Sequence, residues 1–400
     1  MMDHPANDAA DPGQRFGLSL QQQEILDQAS RFAQAELHGL QGRMDDEEWW
    51  PPHVMPRLGE LGFLGVTVPE RYGGAGSDVF TSGLITQGLA RWNPAVALSY
   101  AAHDNLCVNN ICRNADDALR ARVLPGLCDG SAIGALGLTE PGAGSDALGS
   151  MATTARRDGD DYVLNGRKLY ITNGPVADIL LVYAKTDRAA GARGISAFVV
   201  ERGMPGFAVA QKLDKMGFRG SPTAELVFDD CRVPAANRVG AENRGVAVVM
   251  SGLDLERAIV AMIDLGMAER ALDLAVDYAR TRRQFDRPIG DFQLVQGKLA
   301  EMYTTVEAMR ALCYRTLAEA NAMAEDAGGR GEIHKLTAAA ILFAAEGCSR
   351  VVNDAVQVHG GMGYMRETEV NRLYRASKLL EIGAGTTEIR KVIIAGELLR

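Results

Sequence analysis

From Ile133 to about Val239 the chain is written in short β-branched and aromatic runs: Asp161 to Leu164, Leu169 to Thr172, Ile179 to Ala184, Ile195 to Glu201 and Ala224 to Phe228, each closed by turn residues. Both flanks differ. From Gln21 to Leu127 apolar residues recur mainly with the 3.6-residue period of a helix, interrupted at Trp49-Trp50-Pro51-Pro52 and at the glycine-rich Gly73 to Ser77. After Asn243 the helical period returns, in one long segment to about Thr281 and another from Asp291 to Ala324, then a glycine loop at Gly328 to Gly331 and further helices to Arg400. A block of strands must satisfy its hydrogen bonds within itself. The pattern therefore predicts an α+β chain with a disordered tail at residues 1–15, an N-terminal helical domain at 16–132, a middle β-barrel or sandwich domain at 133–241 and a C-terminal four-helix bundle at 242–400.

Composition removes several function classes. A 400-residue chain with 47% hydrophobic residues buries a large core, and a net charge of −9 disfavours a nucleic-acid surface, which needs a dense cationic patch. No apolar run reaches membrane-spanning length, and Ile179 to Ala184 suits a buried strand instead. Met1 to Arg15, with Asp3, Asp8 and Asp11, lacks the cationic start and apolar stretch of a targeting segment, so a cytoplasmic protein is expected. Cys107, Cys112, Cys128, Cys231, Cys313 and Cys348 have no metal-holding spacing and read as small buried apolar residues in a reducing compartment; no metal site is predicted.

Glu256, in Leu253-Asp254-Leu255-Glu256-Arg257, is a lone carboxylate with Gly252, Leu253, Ile259 and Val260 one turn away. No cation stands at i+3 or i+4, so the helix face reads as buried, and burial raises a carboxyl pKa towards the range of a proton acceptor. A structural glutamate at a helix interface would look the same. In Leu138-Thr139-Glu140-Pro141-Gly142-Ala143-Gly144-Ser145-Asp146, the glycines allow close backbone approach, and Thr139, Ser145 and adjacent amides can donate to phosphate or ring acceptors; a plain loop fits equally. No G-x-G-x-x-G follows a strand, which excludes a Rossmann site. Tyr170 and Thr172 lie two apart on an expected strand, hence on one face, where a packed tyrosine is the ordinary reading. Arg282 to Gly290 looks like a solvated helix end whose cations suit the macrodipole. His359 has no second ligand at a suitable spacing and reads as structural.

The PGAGS segment, Tyr170-Ile171-Thr172-Asn173-Gly174, Glu256 and Glu381-Ile382-Gly383-Ala384-Gly385-Thr386-Thr387-Glu388 occur in an order that resembles the acyl-CoA dehydrogenase family of flavoproteins, from about residue 20 to the C-terminus. The family architecture is the same helix, β, helix succession. Within it Glu256 looks like the base of the isovaleryl-CoA dehydrogenase branch, whereas most members carry that glutamate at the position of Ala384. The resemblance implies FAD as cofactor, with Leu136, Leu138 and Thr139 beside the isoalloxazine ring and Ser145 beside a phosphate. Tyr170 would cover the flavin, where the family usually has tryptophan, and the Thr172 hydroxyl would approach its reactive nitrogen.

Other implied contacts come from the far end of the bundle. Arg282, Phe285 and Gln293, with Gln357, Gly360 and Gly361, are expected at the pyrophosphate and adenosine of a neighbouring subunit's FAD, in a homotetramer built as a dimer of dimers. Thr386, Thr387 and Glu388 are expected to hold the cofactor near the following helix. Ser145, Asp254, Arg257, Ala384 and Gly385 are implied as substrate contacts, the Ala384 amide facing the thioester oxygen; for Asp254 and Arg257 an i,i+3 ion pair competes with that role. The implied reaction is α,β-dehydrogenation of an acyl-CoA to trans-2-enoyl-CoA, with an electron-transfer flavoprotein as acceptor. Met262-Ile263-Asp264 stands where that branch usually has Gly-Gly-Pro. A short branched acyl-CoA such as isovaleryl-CoA is expected; alternatives are a longer straight or citronellyl-type chain, an acyl-CoA oxidase and a DNA-associated flavoprotein of the same fold.

Overall fold

The computed structural model describes residues 17–322 and 330–400, so the tail expected at residues 1–15 and the start of the glycine loop at Gly328 lie outside the described residues. Ser19 opens α1 (Leu20–Phe32) with a capping box: its hydroxyl accepts the Gln22 amide and Gln22 Oε1 accepts the Ser19 amide. Asp78 and Asn93 cap α2 (Val79–Trp92) and α3 (Pro94–Ala101) through their side chains, and Pro94 at the first position of α3 has no N–H to leave unsatisfied. A π-helical stretch, Ala102–Asn109, continues α3, and α4 (Asp117–Cys128) completes this part.

Eight strands follow: β1 (Gly134–Gly137), β2 (Thr154–Asp158), β3 (Asp161–Thr172), β4 (Ile179–Lys185), β5 (Ile195–Glu201), β6 (Phe207–Lys212), β7 (Thr223–Pro234) and β8 (Arg238–Val239). They form one sheet in the order β6-β7-β3-β2-β4-β5-β8, and β1 pairs in parallel with β4 from Gly134 opposite Ile179 to Gly137 opposite Val182. β4 is buried on both faces, which explains its unbroken apolar run. Leu180, Val182 and Ala184 join Phe198 and Val200 in one core, while Leu181 and Tyr183 join Val108, Ile111 and Val199 in another against the N-terminal helices. β3 unites two runs that the sequence suggested separately, because bulges near Asn165 and at Leu169–Tyr170 interrupt its alternation. β6 was not apparent from pattern. It is an edge strand, and its residues beyond Phe207 face solvent.

The C-terminal part holds α5 (Gly245–Thr281), α6 (Gln293–Asn321), α7 (Gly331–His359), α8 (Glu369–Leu380) and α9 (Thr387–Leu398). At 37 residues α5 is roughly 55 Å long. It packs against α2 on one side and α6 and α7 on the other, so a single apolar core runs from Ala29, Leu84 and Leu89 through Leu255 and Ile259 to Ile341 and Val352. The helical parts on either side of the sheet thus share a core. No helix among the described residues is long and apolar enough to cross a membrane.

Candidate active site

Glu256 sits in the first third of α5 with only 9% of its surface exposed. Its carboxylate accepts no hydrogen bond from the described residues, and loss of water pushes its pKa up to about 7, against the opposing pull of the Arg257 and Arg390 charges. A carboxyl that is half ionised at neutral pH is suited to take a proton from carbon and hold it. Along the same helix face Val260 and Ile263 are buried apolar groups, and Met262 and Asp264 are buried beside them. On either side of Glu256 in the chain, Asp254 and Arg257 form the i,i+3 pair at 2.9 Å. Asp254 is fully buried, and its Oδ1 also lies 2.7 Å from His334 Nδ1 and accepts from the Thr337 hydroxyl at 3.4 Å.

A second group of residues is delivered by β1 and β3. Leu136, Leu138 and Thr139 are half-buried at the end of β1, and Ser145 is exposed in the loop beyond. That loop is pinned from inside the sheet. Lys168 Nζ donates to the Leu138 carbonyl at 3.1 Å and to Glu140 Oε1 at 2.8 Å, and Glu140 accepts the amides of Ala152 at 2.6 Å and Thr153 at 3.0 Å. Burial lowers the Lys168 pKa to about 8 in spite of Glu140. Burial raises the Glu140 carboxyl, but the Lys168 charge and these hydrogen bonds outweigh it and hold the carboxyl below its usual value. The sequence pattern alone assigns no role to Glu140 or Lys168, though a lysine at a core position of a strand is the signal that could.

At the bulge in β3, Tyr170 adopts a left-handed conformation at φ 62° and is 67% exposed, with Ile171 turned into the core and Thr172 half-buried. Alternation alone therefore does not relate Tyr170 to Thr172; the bulge does. Half-exposed leucines and a tyrosine ring beside two threonine hydroxyls offer apolar faces and polar edges. Such a set fits a flat isoalloxazine ring, whose faces are apolar and whose rim hydrogen-bonds.

The third group is the turn between α8 and α9. Ala384 is left-handed at φ 54° and Gly385 follows at φ 91°; Thr386 then caps α9 by accepting the Ile389 amide at 3.3 Å. Thr387 is buried, its hydroxyl donating to the Glu381 carbonyl at 3.3 Å, while Glu388 is exposed in the first turn of α9. Arg390, which sequence reasoning missed, joins this turn to Glu256: it is wholly buried, donates to the carbonyls of Leu380 and Gly383, and its charge acts on Glu256.

The remaining residues are elsewhere. Arg282, Phe285, Gln293, Gln357, Gly360 and Gly361 are all exposed at the other end of the bundle, where Tyr278 and His359 stack with ring centroids 4.3 Å apart and bring the ends of α5 and α7 together. Twenty-six residues of helix separate Glu256 from Arg282, roughly 39 Å. His359 Nδ1 lies 2.7 Å from the Ala355 carbonyl, and no metal-holding cluster exists among the described residues.

Known proteins match along nearly the whole chain. Residues 19–131, 135–231 and 243–399 match the families described as the N-terminal, middle and C-terminal domains of acyl-CoA dehydrogenase. A mitochondrial isovaleryl-CoA dehydrogenase of Pongo abelii is 44% identical over 390 residues, covering 94% of this chain and 88% of that protein. The butyryl-CoA dehydrogenase structure from Megasphaera elsdenii superimposes with a TM-score of 0.91 at 38% identity, covering 96% of this chain and all of that one (100%). A chain from work titled as the electron transferring flavoprotein of Acidaminococcus fermentans gives a TM-score of 0.92 at 38% identity, covering 96% of this chain and 99% of that chain. A further structure of the same fold is an FAD complex.

Proposed function

The chain belongs to the acyl-CoA dehydrogenase family and is an FAD-dependent enzyme of that kind, and we propose that it oxidises a short branched acyl-CoA such as isovaleryl-CoA to the trans-2-enoyl-CoA with Glu256 as the base. The observation that carries this reading is the buried carboxyl of Glu256, raised to about 7, in a chain whose other acid position is Ala384. Glu256 takes the α-proton as the carbon–carbon double bond forms. FAD, held by the ring-site residues named below, would supply the acceptor for the β-hydrogen as hydride. Charge would gather on the thioester oxygen as the α-proton leaves, and the Ala384 amide is the donor assigned to meet it. An alanine supplies that amide as well as a glutamate does.

For FAD, Leu136, Leu138, Thr139, Tyr170 and Thr172 form the ring site, with Ser145 at a phosphate and Thr386, Thr387 and Glu388 at the rim. Arg282, Phe285, Gln293, Gln357, Gly360 and Gly361 stand too far from Glu256 to serve the same flavin. We assign them to the FAD of a neighbouring subunit, and the exposed Phe285, Leu294 and Tyr364 around that end suit the interface of a homotetramer. Ser145, Arg257 and Gly385 line the path of the CoA thioester, with Asp254 holding Arg257 in place. An electron-transfer flavoprotein is the proposed acceptor. The room that Ala384 leaves beside the acyl chain, where a glutamate would stand, supports branching near the β-carbon.

Anaerobic titration of the flavinated protein tests the reading. Isovaleryl-CoA should bleach the flavin with a higher kcat/KM than butyryl-, octanoyl- or citronellyl-CoA. Preference for either long substrate refutes the short branched chain, and peroxide formation without an added acceptor makes the enzyme an oxidase.

A further inference from the structure

Arg390 is an unusual residue to bury. Its guanidinium is fully withdrawn from water, yet among the described residues it hydrogen-bonds only to backbone: Nη2 donates to the carbonyls of Leu380 at 2.7 Å and Gly383 at 2.6 Å, Nη1 to that of Ile341 at 3.5 Å, and Nε has no partner. A cation held this way is expensive unless its position is useful. The carboxyl groups that feel its charge are Asp264 and Glu256 on α5 and Glu381 in the turn, with the Arg257 charge opposing it. Asp264 is as buried as Arg390. The Cys348 thiol approaches Asp264 from α7, but neither carboxyl oxygen receives a well-formed hydrogen bond.

Two of the three carbonyls held by Arg390, those of Leu380 and Gly383, stand at the start of and within the turn that carries Ala384. A left-handed alanine is sparsely populated and persists only where its surroundings fix it. The fork of Arg390 does so from the inside, gripping the residue just before Ala384 and the one at the end of α8. Its charge also pulls the Glu256 carboxyl down, as does that of Arg257 on the same helix, while Tyr183 on β4 is the other titratable group that interacts with Glu256.

We infer that Arg390 is a positioning residue for the reaction: its planar fork fixes the turn that presents the Ala384 amide, and its charge stands beside Glu256. This rests on the assignment of Glu256 as base and Ala384 as amide donor. The two contributions separate in two variants. Arg390→Lys keeps the charge and loses the planar fork, so kcat should fall about tenfold or more while KM changes less than about threefold and the acid limb of kcat/KM stays in place. Arg390→Gln keeps amide donors and loses the charge, so the acid limb should move up by about half a pH unit or more.

Wild-type kcat and an unmoved acid limb in both variants would overturn the inference. If either variant is recovered without flavin, hydrogen exchange is compared with flavin-stripped wild type. Faster exchange confined to residues 379–387 supports the clamp. Unchanged exchange there, or a rise spread through the whole bundle, overturns it. Glu256→Gln run alongside keeps the assignments distinct: substrate-driven flavin reduction surviving in that variant removes the base, while the exchange experiment still judges Arg390.

Discussion

The burial of Glu256 has a kinetic signature that can be worked out in advance. With a pKa of about 7, the carboxyl is ionised in about one molecule in eleven at pH 6 and in about ten of eleven at pH 8. Only the carboxylate accepts a proton, and kcat/KM reports the free enzyme, so kcat/KM for the best substrate should rise about tenfold between pH 6 and pH 8. A solvated glutamate near 4.5 would be ionised across that whole interval and would give a flat profile. The assay is anaerobic stopped-flow reduction of the flavin at low substrate concentration, where no external acceptor contributes its own titration. The limb should be absent from the residual rate of Glu256→Gln. A wild-type profile that is flat from pH 6 to pH 8 refutes the claim that burial sets the reactivity of this carboxyl.

The same shift bears on stability. A folded pKa raised above the unfolded value favours folding below about pH 4.5, and that contribution is lost as the pH rises through about 7, so Glu256→Gln should gain about 3 kcal/mol over wild type at pH 8.5 relative to their difference at pH 4. Urea unfolding at the two pH values reads this, and a pH-independent difference contradicts it. Lys168→Met strands Glu140 in the core and frees the Leu138 carbonyl, so it should destabilise by about 3–5 kcal/mol and weaken FAD binding; unchanged affinity in a flavin titration would dissociate the pair from the cofactor loop. Arg282→Ala should lower FAD affinity and loosen the oligomer in sedimentation without unfolding the bundle. The double variant Glu256→Gln with Ala384→Glu should recover part of the flavin reduction lost in Glu256→Gln, because on the proposed assignment a carboxylate at 384 would address the same α-proton.

What could be read from sequence was set by the range of the interaction concerned. The succession of helical and strand texture is local, and it located α5, α6, β4 and β5 because each buries a periodic or continuous apolar face. Strand β6 escaped notice because an edge strand facing solvent needs no apolar alternation. Glu256 stood out because no cation stands at i+3 or i+4, a pattern visible within one turn of helix. Arg390 did not: seen along α9 alone it is an ordinary helical arginine, and only the fold reveals that it points inward at the end of α8. Lys168 and Glu140 lie 28 residues apart, and their pairing depends on the chain just beyond β1 meeting β3.

The proposed placement of the base on α5 separates two tasks that a glutamate at position 384 would combine. A residue there must hold a left-handed backbone, present its amide to the thioester oxygen and also aim a carboxylate at the α-carbon, all from a short turn. Here the carboxylate comes from within a 37-residue helix packed against α2, α6 and α7, so its position is set by the core and not by the turn. The turn is left with the amide alone, which asks nothing of the side chain at 384 and so permits alanine. Arg390 is hydrogen-bonded to the turn and its charge acts on Glu256, so on the inference drawn above a disturbance of the turn would reach the proposed base without any change in α5 itself.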